Sequence, residues 1–241
     1  MILLRSIVFN LWFYAVTFVL AVAALLPRPG PPERGADWAL AVAQCWARMV
    51  LGGLRWCCGI TWVVTGREHL PASGPALFAS NHQSAFDTMV WLLLVPRACY
   101  VVKRELLRVP IFGPACKRTG MIMVDRDAGG AAIRTLLREA DRAVAERRQI
   151  VIFPEGTRVA PGATLPLQPG VAALASRTGL PLIPVATDSG YCWGRRAFRK
   201  RPGVIHIALG TPIPAGLKRE DLMQRLEQAL ADGQAAIARG R

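Results

Sequence analysis

Beyond Val63 the chain alternates short apolar runs, at residues 76–80, 100–102, 121–124, 150–153, 182–185 and 204–209, with stretches of helical periodicity. Such runs predict strands, and strands separated by helices predict an α/β fold. The expected architecture is a mixed central sheet flanked by helices, with its active site in the loops beyond the strand ends. Residues 131–147 read as an amphipathic helix with Ile133, Leu136, Leu137, Ala140 and Val144 on one face, and a last helix is expected at about 220–238. At 241 residues the chain has room for one sizeable catalytic domain and a short appendage.

The appendage is apolar. Residues 7–26 read IVFNLWFYAVTFVLAVAALL, about the length needed to cross a hydrocarbon core as a helix, with Asn10 the one strongly polar side chain. A cleaved signal peptide is the alternative, favoured by Arg5 and by the small residues before Pro27, but the run exceeds a usual signal core. The prolines at 27–32 break the helix. Residues 38–62 form a second apolar, helix-like segment, interrupted by Gln44, Arg48, Arg55 and the glycines at 52, 53 and 59. Arginine and tryptophan favour the headgroup boundary, so this segment is expected in the interface, with a second crossing as the alternative. The division expected is 1–62, N-terminal membrane-associated helices, and 63–241, the catalytic domain.

The chain is 52% hydrophobic and carries 30 Lys and Arg against 16 Asp and Glu, a net charge of +14. An apolar start with an excess of cations points to a membrane lipid surface and to acidic substrates. Nucleic acid is excluded as partner, since no motif for it occurs and the apolar N-terminus needs a lipid explanation. The six cysteines form no C-x-x-C pair and the three histidines are scattered, which argues against a metal site. Nothing demands an oxidising compartment.

Two stretches carry chemistry. Asn81-His82-Gln83-Ser84-Ala85-Phe86-Asp87 follows the run at 76–80 and precedes the helix-like run at 89–95. A neutral imidazole accepts a proton well near neutral pH, and a carboxylate on its other nitrogen fixes the tautomer and offsets the imidazolium charge. Asp87 suits that role for His82, provided that a turn leading into a helix joins them, because an ideal helix turning about 100° per residue separates positions five apart. The second stretch, Phe153-Pro154-Glu155-Gly156-Thr157-Arg158, follows the run at 150–152. Glycine admits an anion close to the backbone, threonine donates a hydroxyl and arginine offers a planar fork of donors, a combination suited to phosphate. A surface turn with a capping glutamate is the plainer reading.

In this order the two stretches resemble the glycerolipid acyltransferase family, whose signature is H-x-x-x-x-D followed by a distant F-P-E-G-T-R. The resemblance extends to Gly120-Met121-Ile122-Met123-Val124-Asp125-Arg126, similar to the family's G-x-I-F-V-x-R block, and to Leu182-Ile183-Pro184-Val185. Met123 stands where the family usually has phenylalanine, and Leu167-Gln168-Pro169-Gly170 lacks a lysine often found before that glycine.

The resemblance implies a 1-acyl-glycerol-3-phosphate acyltransferase of phospholipid biosynthesis in the bacterial inner membrane, with its active site on the cytosolic side. The acceptor would be lysophosphatidic acid, the donor acyl-CoA or acyl carrier protein, and the product phosphatidic acid. His82 would be the base and Asp87 its partner. Glu155, Gly156, Thr157, Arg158, Arg126 and Lys103 would bind substrate, Lys103 through a Val102-to-Leu106 segment similar to one in many members. No metal or cofactor is required. The rival acceptor is another lysolipid, such as a lyso-aminolipid, and the remote alternative is a non-catalytic membrane scaffold. A hydrolase triad through Ser84 is disfavoured, since no G-x-S-x-G elbow is present. The basic run at 195–201 reads as a solvated loop or as a contact for anionic headgroups or an acidic carrier protein.

Overall fold

The computed structural model describes residues 1–27, 32–125 and 128–241. A seven-stranded sheet in the order β1-β7-β6-β2-β5-β3-β4 forms its centre. The strands are β1 (Ile60–Thr65), β2 (Ala76–Ser80), β3 (Ala98–Lys103), β4 (Ile122–Val124), β5 (Gln149–Ile152), β6 (Leu182–Thr187) and β7 (Gly203–Leu209). Every neighbouring pair is parallel except β6 with β7, which makes the sheet mixed, as expected. The helices are α1 (Ile2–Leu25), α2 (Pro32–Cys58), α3 (Phe86–Leu94), α4 (Phe112–Arg118), α5 (Gly130–Ala145), α6 (Gly170–Thr178) and α7 (Arg219–Arg239).

The central strands are covered on both faces, and their sequences show it. All residues of β2 (ALFAS), β5 (QIVI) and β6 (LIPVAT) are buried, giving the continuous apolar runs of an interior parallel sheet. One face packs on α5, α6 and α7, where Ala132, Leu136, Ala140 and Ala143 of α5 meet Val171, Leu174 and Ala175 of α6. The other face packs on α3, α2 and part of α1, with Phe78, Phe86 and Trp91 joined to Leu51, Leu54 and Phe9 in one apolar cluster. The N-terminal helices therefore share the core of the sheet.

The segment at 38–62 is where sequence and structure diverge. Helix α2 stops at Cys58, Gly59 turns with φ +67°, and Trp62 belongs to strand β1. Residues 60–65 read ITWVVT, rich in β-branched side chains, and pair in parallel with residues 203–208 of β7. That partner lies more than a hundred residues away, beyond the reach of local periodicity. Helices α4 and α6, of 7 and 9 residues, are also too short to announce themselves by period.

Helix α1 is long and apolar enough to cross a membrane. Its inner face is bound to the rest of the chain by specific polar contacts. Trp12 donates to the Met49 carbonyl at 3.0 Å, Trp46 to the Thr17 hydroxyl at 2.9 Å, and Trp38 to the Ala23 carbonyl at 3.1 Å. The Lys200 ammonium donates to Asn10 at 2.6 Å and to the Phe198 carbonyl at 2.9 Å, and lies 5.4, 4.9 and 5.6 Å from the ring centres of Phe9, Trp193 and Phe198. A cation held against aromatic faces keeps favourable electrostatics away from water. The opposite face exposes Leu4, Leu11, Tyr14, Phe18 and Val19.

Phe9 is fully buried and meets Trp193 edge-on, with centroids 5.5 Å apart. Its replacement by alanine is expected to cost roughly 3–5 kcal/mol, seen as a lower unfolding temperature in detergent. An unchanged unfolding temperature would mean that α1 is not part of the cooperative core.

Candidate active site

Because β2, β3, β4, β5 and β6 run parallel, their carboxyl ends lie along one edge of the sheet. Both chemical motifs leave the sheet there: residues 81–87 after β2, and residues 153–158 after the adjacent β5. Asn81 clasps the third neighbour, accepting from the Thr187 amide at 2.6 Å and donating to the Thr187 carbonyl at 3.1 Å. The chain then turns into α3, and Asp87 falls in that helix's first turn, where the helix dipole favours a carboxylate.

This turn is the geometry that the five-residue spacing requires. His82 Nδ1 lies 2.9 Å from Asp87 Oδ2, and the same oxygen accepts the amides of Gln83 and Ser84, each at 2.8 Å. A carboxylate at Nδ1 keeps the proton on that nitrogen and leaves the Nε2 lone pair open for another. The imidazole stacks on Phe153, with centroids 4.1 Å apart and planes 22° from parallel, so the second motif also fixes the ring. Ser84 is fully buried, and its Oγ accepts the Phe86 amide at 3.1 Å, a local turn contact at the entry to α3.

The two loops are joined through main-chain groups of His82. Its amide donates to Glu155 Oε1 at 3.3 Å, and its carbonyl accepts the Val159 amide at 2.7 Å. Between them Gly156 turns with φ +71°, a conformation that disfavours any side chain. Burial, reinforced by the nearby Asp87 charge, pushes the Glu155 carboxyl from 4.5 up to about 7, against the opposing pull of backbone amides.

Gly156, Thr157 and Arg158 are half-buried in the same loop. Burial holds the Arg158 guanidinium below its usual range, Arg195 and Arg196 press in the same direction, and Asp87 opposes them. Arg158 is thus within electrostatic reach of the His82–Asp87 pair. Lys103 is exposed at the end of β3, two strands from β2 along the same edge. Arg126 lies outside the described residues. Asn81 and Phe153, which position His82, were not singled out by the sequence: the partner of Asn81 is 106 residues away, and Phe153 resembles any apolar strand residue.

Beside α3 lies an apolar cavity of about 150 Å³, lined by Thr88 and Leu92 of α3 together with Trp46, Val102, Phe112 and Met121.

A family model described as "Acyltransferase" matches residues 62–188, and the chain belongs to that family. It is 32% identical over 212 residues to the 1-acyl-sn-glycerol-3-phosphate acyltransferase of Pseudomonas aeruginosa, covering 88% of this chain and 81% of the relative. It is 34% identical over 190 residues to the alpha form from Bos taurus, covering 77% of this chain and 64% of that longer protein. Its fold matches the crystal structure of the 1-acyl-sn-glycerophosphate (LPA) acyltransferase, PlsC, from Thermotoga maritima, with a TM-score of 0.78 over 99% of this chain and 98% of that one, at 22% identity.

The raised Glu155 carboxyl has a consequence for stability. Below about pH 4.5 both folded and unfolded states hold its proton. As pH rises from 4.5 to about 7 the unfolded chain loses it first, so this group's stabilising contribution is lost across that window. Glu155→Gln keeps an acceptor for the His82 amide, and its unfolding temperature is expected to fall less over the same window than that of the natural chain. Parallel curves would show that Glu155 titrates normally.

Proposed function

We propose that the chain transfers an acyl group from a thioester to the free sn-2 hydroxyl of 1-acyl-sn-glycerol-3-phosphate, giving phosphatidic acid. The observation that carries this reading is the 2.9 Å contact between His82 and Asp87, beside an Arg158-bearing loop, in a chain of the acyltransferase family. His82 Nε2 removes the hydroxyl proton as the oxygen attacks the thioester carbonyl; the new C–O bond forms, the C–S bond breaks, and the imidazolium returns its proton to the departing thiolate. Asp87 holds the ring and offsets its transient charge. Proton transfer of this kind is worth roughly a hundredfold to ten-thousandfold in rate, and positioning and charge stabilisation supply the remainder.

Arg158, the Gly156 backbone and the Thr157 hydroxyl bind the acceptor's phosphate, with Lys103 at the end of β3 as a further cation and Arg126 another by family resemblance. Glu155 braces the His82 main chain and receives acceptor hydroxyls. Acyl-CoA and acyl carrier protein both fit the donor chemistry, and the apolar cavity beside α3 suits an acyl chain. The division into membrane-associated helices and acyltransferase domain is kept with its boundary moved from 62/63, which would cut β1, to Gly59 between α2 and β1, and with the exposed face of α1 turned to lipid. The site faces the cytosolic side of a bacterial inner membrane, where acyl thioesters are made.

The test is acyl transfer from a labelled thioester to a panel of acceptors in detergent or lipid vesicles. The natural chain is expected to use 1-acylglycerol-3-phosphate in preference to lysophospholipids whose phosphate is esterified and to lyso-aminolipids, and His82→Ala to lose nearly all turnover. Preference for an acceptor without a phosphate monoester would overturn the acceptor assignment, and full turnover by His82→Ala would overturn the base.

A further inference from the structure

Arg158 sits in a cluster of three arginines that make no ion pair among the described residues. Arg97, Arg142, Arg177 and Arg241 each find an Asp or Glu within 3.3 Å, whereas Arg158, Arg195 and Arg196 form no ion pair among the described residues. Arg195 comes from the loop between β6 and β7, 37 residues further along, yet its Nη1 donates to the Arg158 carbonyl at 3.4 Å.

That loop is fixed against the active site. The Gly190 amide donates to the Gln83 side chain at 3.1 Å, next to His82, and a Cβ built on Gly190 would lie 2.8 Å from Pro161. Cys192 and Trp193 are buried, so the loop has an internal anchor, and the Ala197 amide closes a turn on the Gly194 carbonyl at 3.1 Å. Within this turn Arg196 adopts φ +56°, an uncommon conformation for a side chain of its size. The loop thus holds Arg195 beside Arg158, where like charges repel unless an anion lies between them. A guanidinium fork matches phosphate oxygens two at a time, and a phosphate monoester has enough oxygens for two forks.

We propose that Arg195 supplies a second guanidinium to the phosphate monoester of the acceptor, gripping it opposite Arg158. The proposal rests on the lysophosphatidate reading above. The same phosphate chemistry also occurs in the donor, as the phosphopantetheine or coenzyme phosphates, so the test must separate the two sources.

In neutral detergent micelles, Arg195→Ala is expected to raise the apparent KM for 1-acylglycerol-3-phosphate roughly ten- to hundredfold, the range for losing charge-assisted hydrogen bonds, with little change in kcat or donor KM. Arg199→Ala removes an equal charge from the same loop and is expected to leave the acceptor KM unchanged. In an Arg158→Ala background the Arg195 change should raise KM further. An unchanged acceptor KM, a rise in donor KM instead, or an equal effect from Arg199→Ala would each overturn the proposal. So would the absence of any further loss in the Arg158→Ala background, since Arg195 would then merely prop Arg158. No product from the natural chain would remove the reading beneath as well, whereas product with an unchanged acceptor KM would remove the Arg195 proposal alone.

Discussion

Three donors meet at one carboxylate oxygen, Oδ2 of Asp87: the His82 ring and the amides of Gln83 and Ser84. The rest of the site depends on that convergence. It folds the chain after β2 back on itself, starts α3, and holds the imidazole against Phe153. The parallel sheet then brings the β5 loop alongside, and the main-chain groups of His82 tie the two loops together at both ends. A single charged group therefore organises both the His82 ring and the backbone that presents it. Its cost is burial of a carboxylate at 2% exposure, which hydrogen bonding and the helix N-terminus offset.

Around this centre the electrostatics are divided. The interior holds Asp87 and a Glu155 whose carboxyl burial pushes towards neutrality, while the rim carries Arg158, Arg195 and Arg196, none of them in an ion pair among the described residues. Such a rim favours an anion at the edge of the site. In the proposed reaction the apolar cavity beside α3 and the exposed apolar face of α1 provide for the hydrocarbon part of the substrate.

Much of this was legible in the sequence because it depends on local rules. Buried strands write continuous apolar runs, so the run at 76–80 matches β2 to the residue and those at 150–153 and 182–185 match β5 and β6 to within a few positions; the amphipathic period marks α5. The spacing of His82 and Asp87 alone is weak evidence for a pair; the flanking strand and helix permit it, and the second motif with its family resemblance supports it. What depends on distant partners was not legible. Strand β1 looked like the end of an apolar helix because its β7 partner lies at residues 203–208, and short α4 and α6 carry too few turns to show a period. The basic run at 195–201 reads as a solvated loop or as a contact for anionic headgroups or a carrier protein, and only the fold brings Arg195 to the Arg158 main chain.

The central claim is that Asp87 acts through the His82 ring. Turnover by His82→Ala, Asp87→Asn and the double variant, each checked for its fold by circular dichroism, tests it most directly. The account predicts that Asp87→Asn alone lowers kcat about a hundredfold or more, and that adding it to His82→Ala costs almost nothing further, as for groups that act as one unit. Losses that multiply in the double variant would contradict it and assign the two residues independent roles.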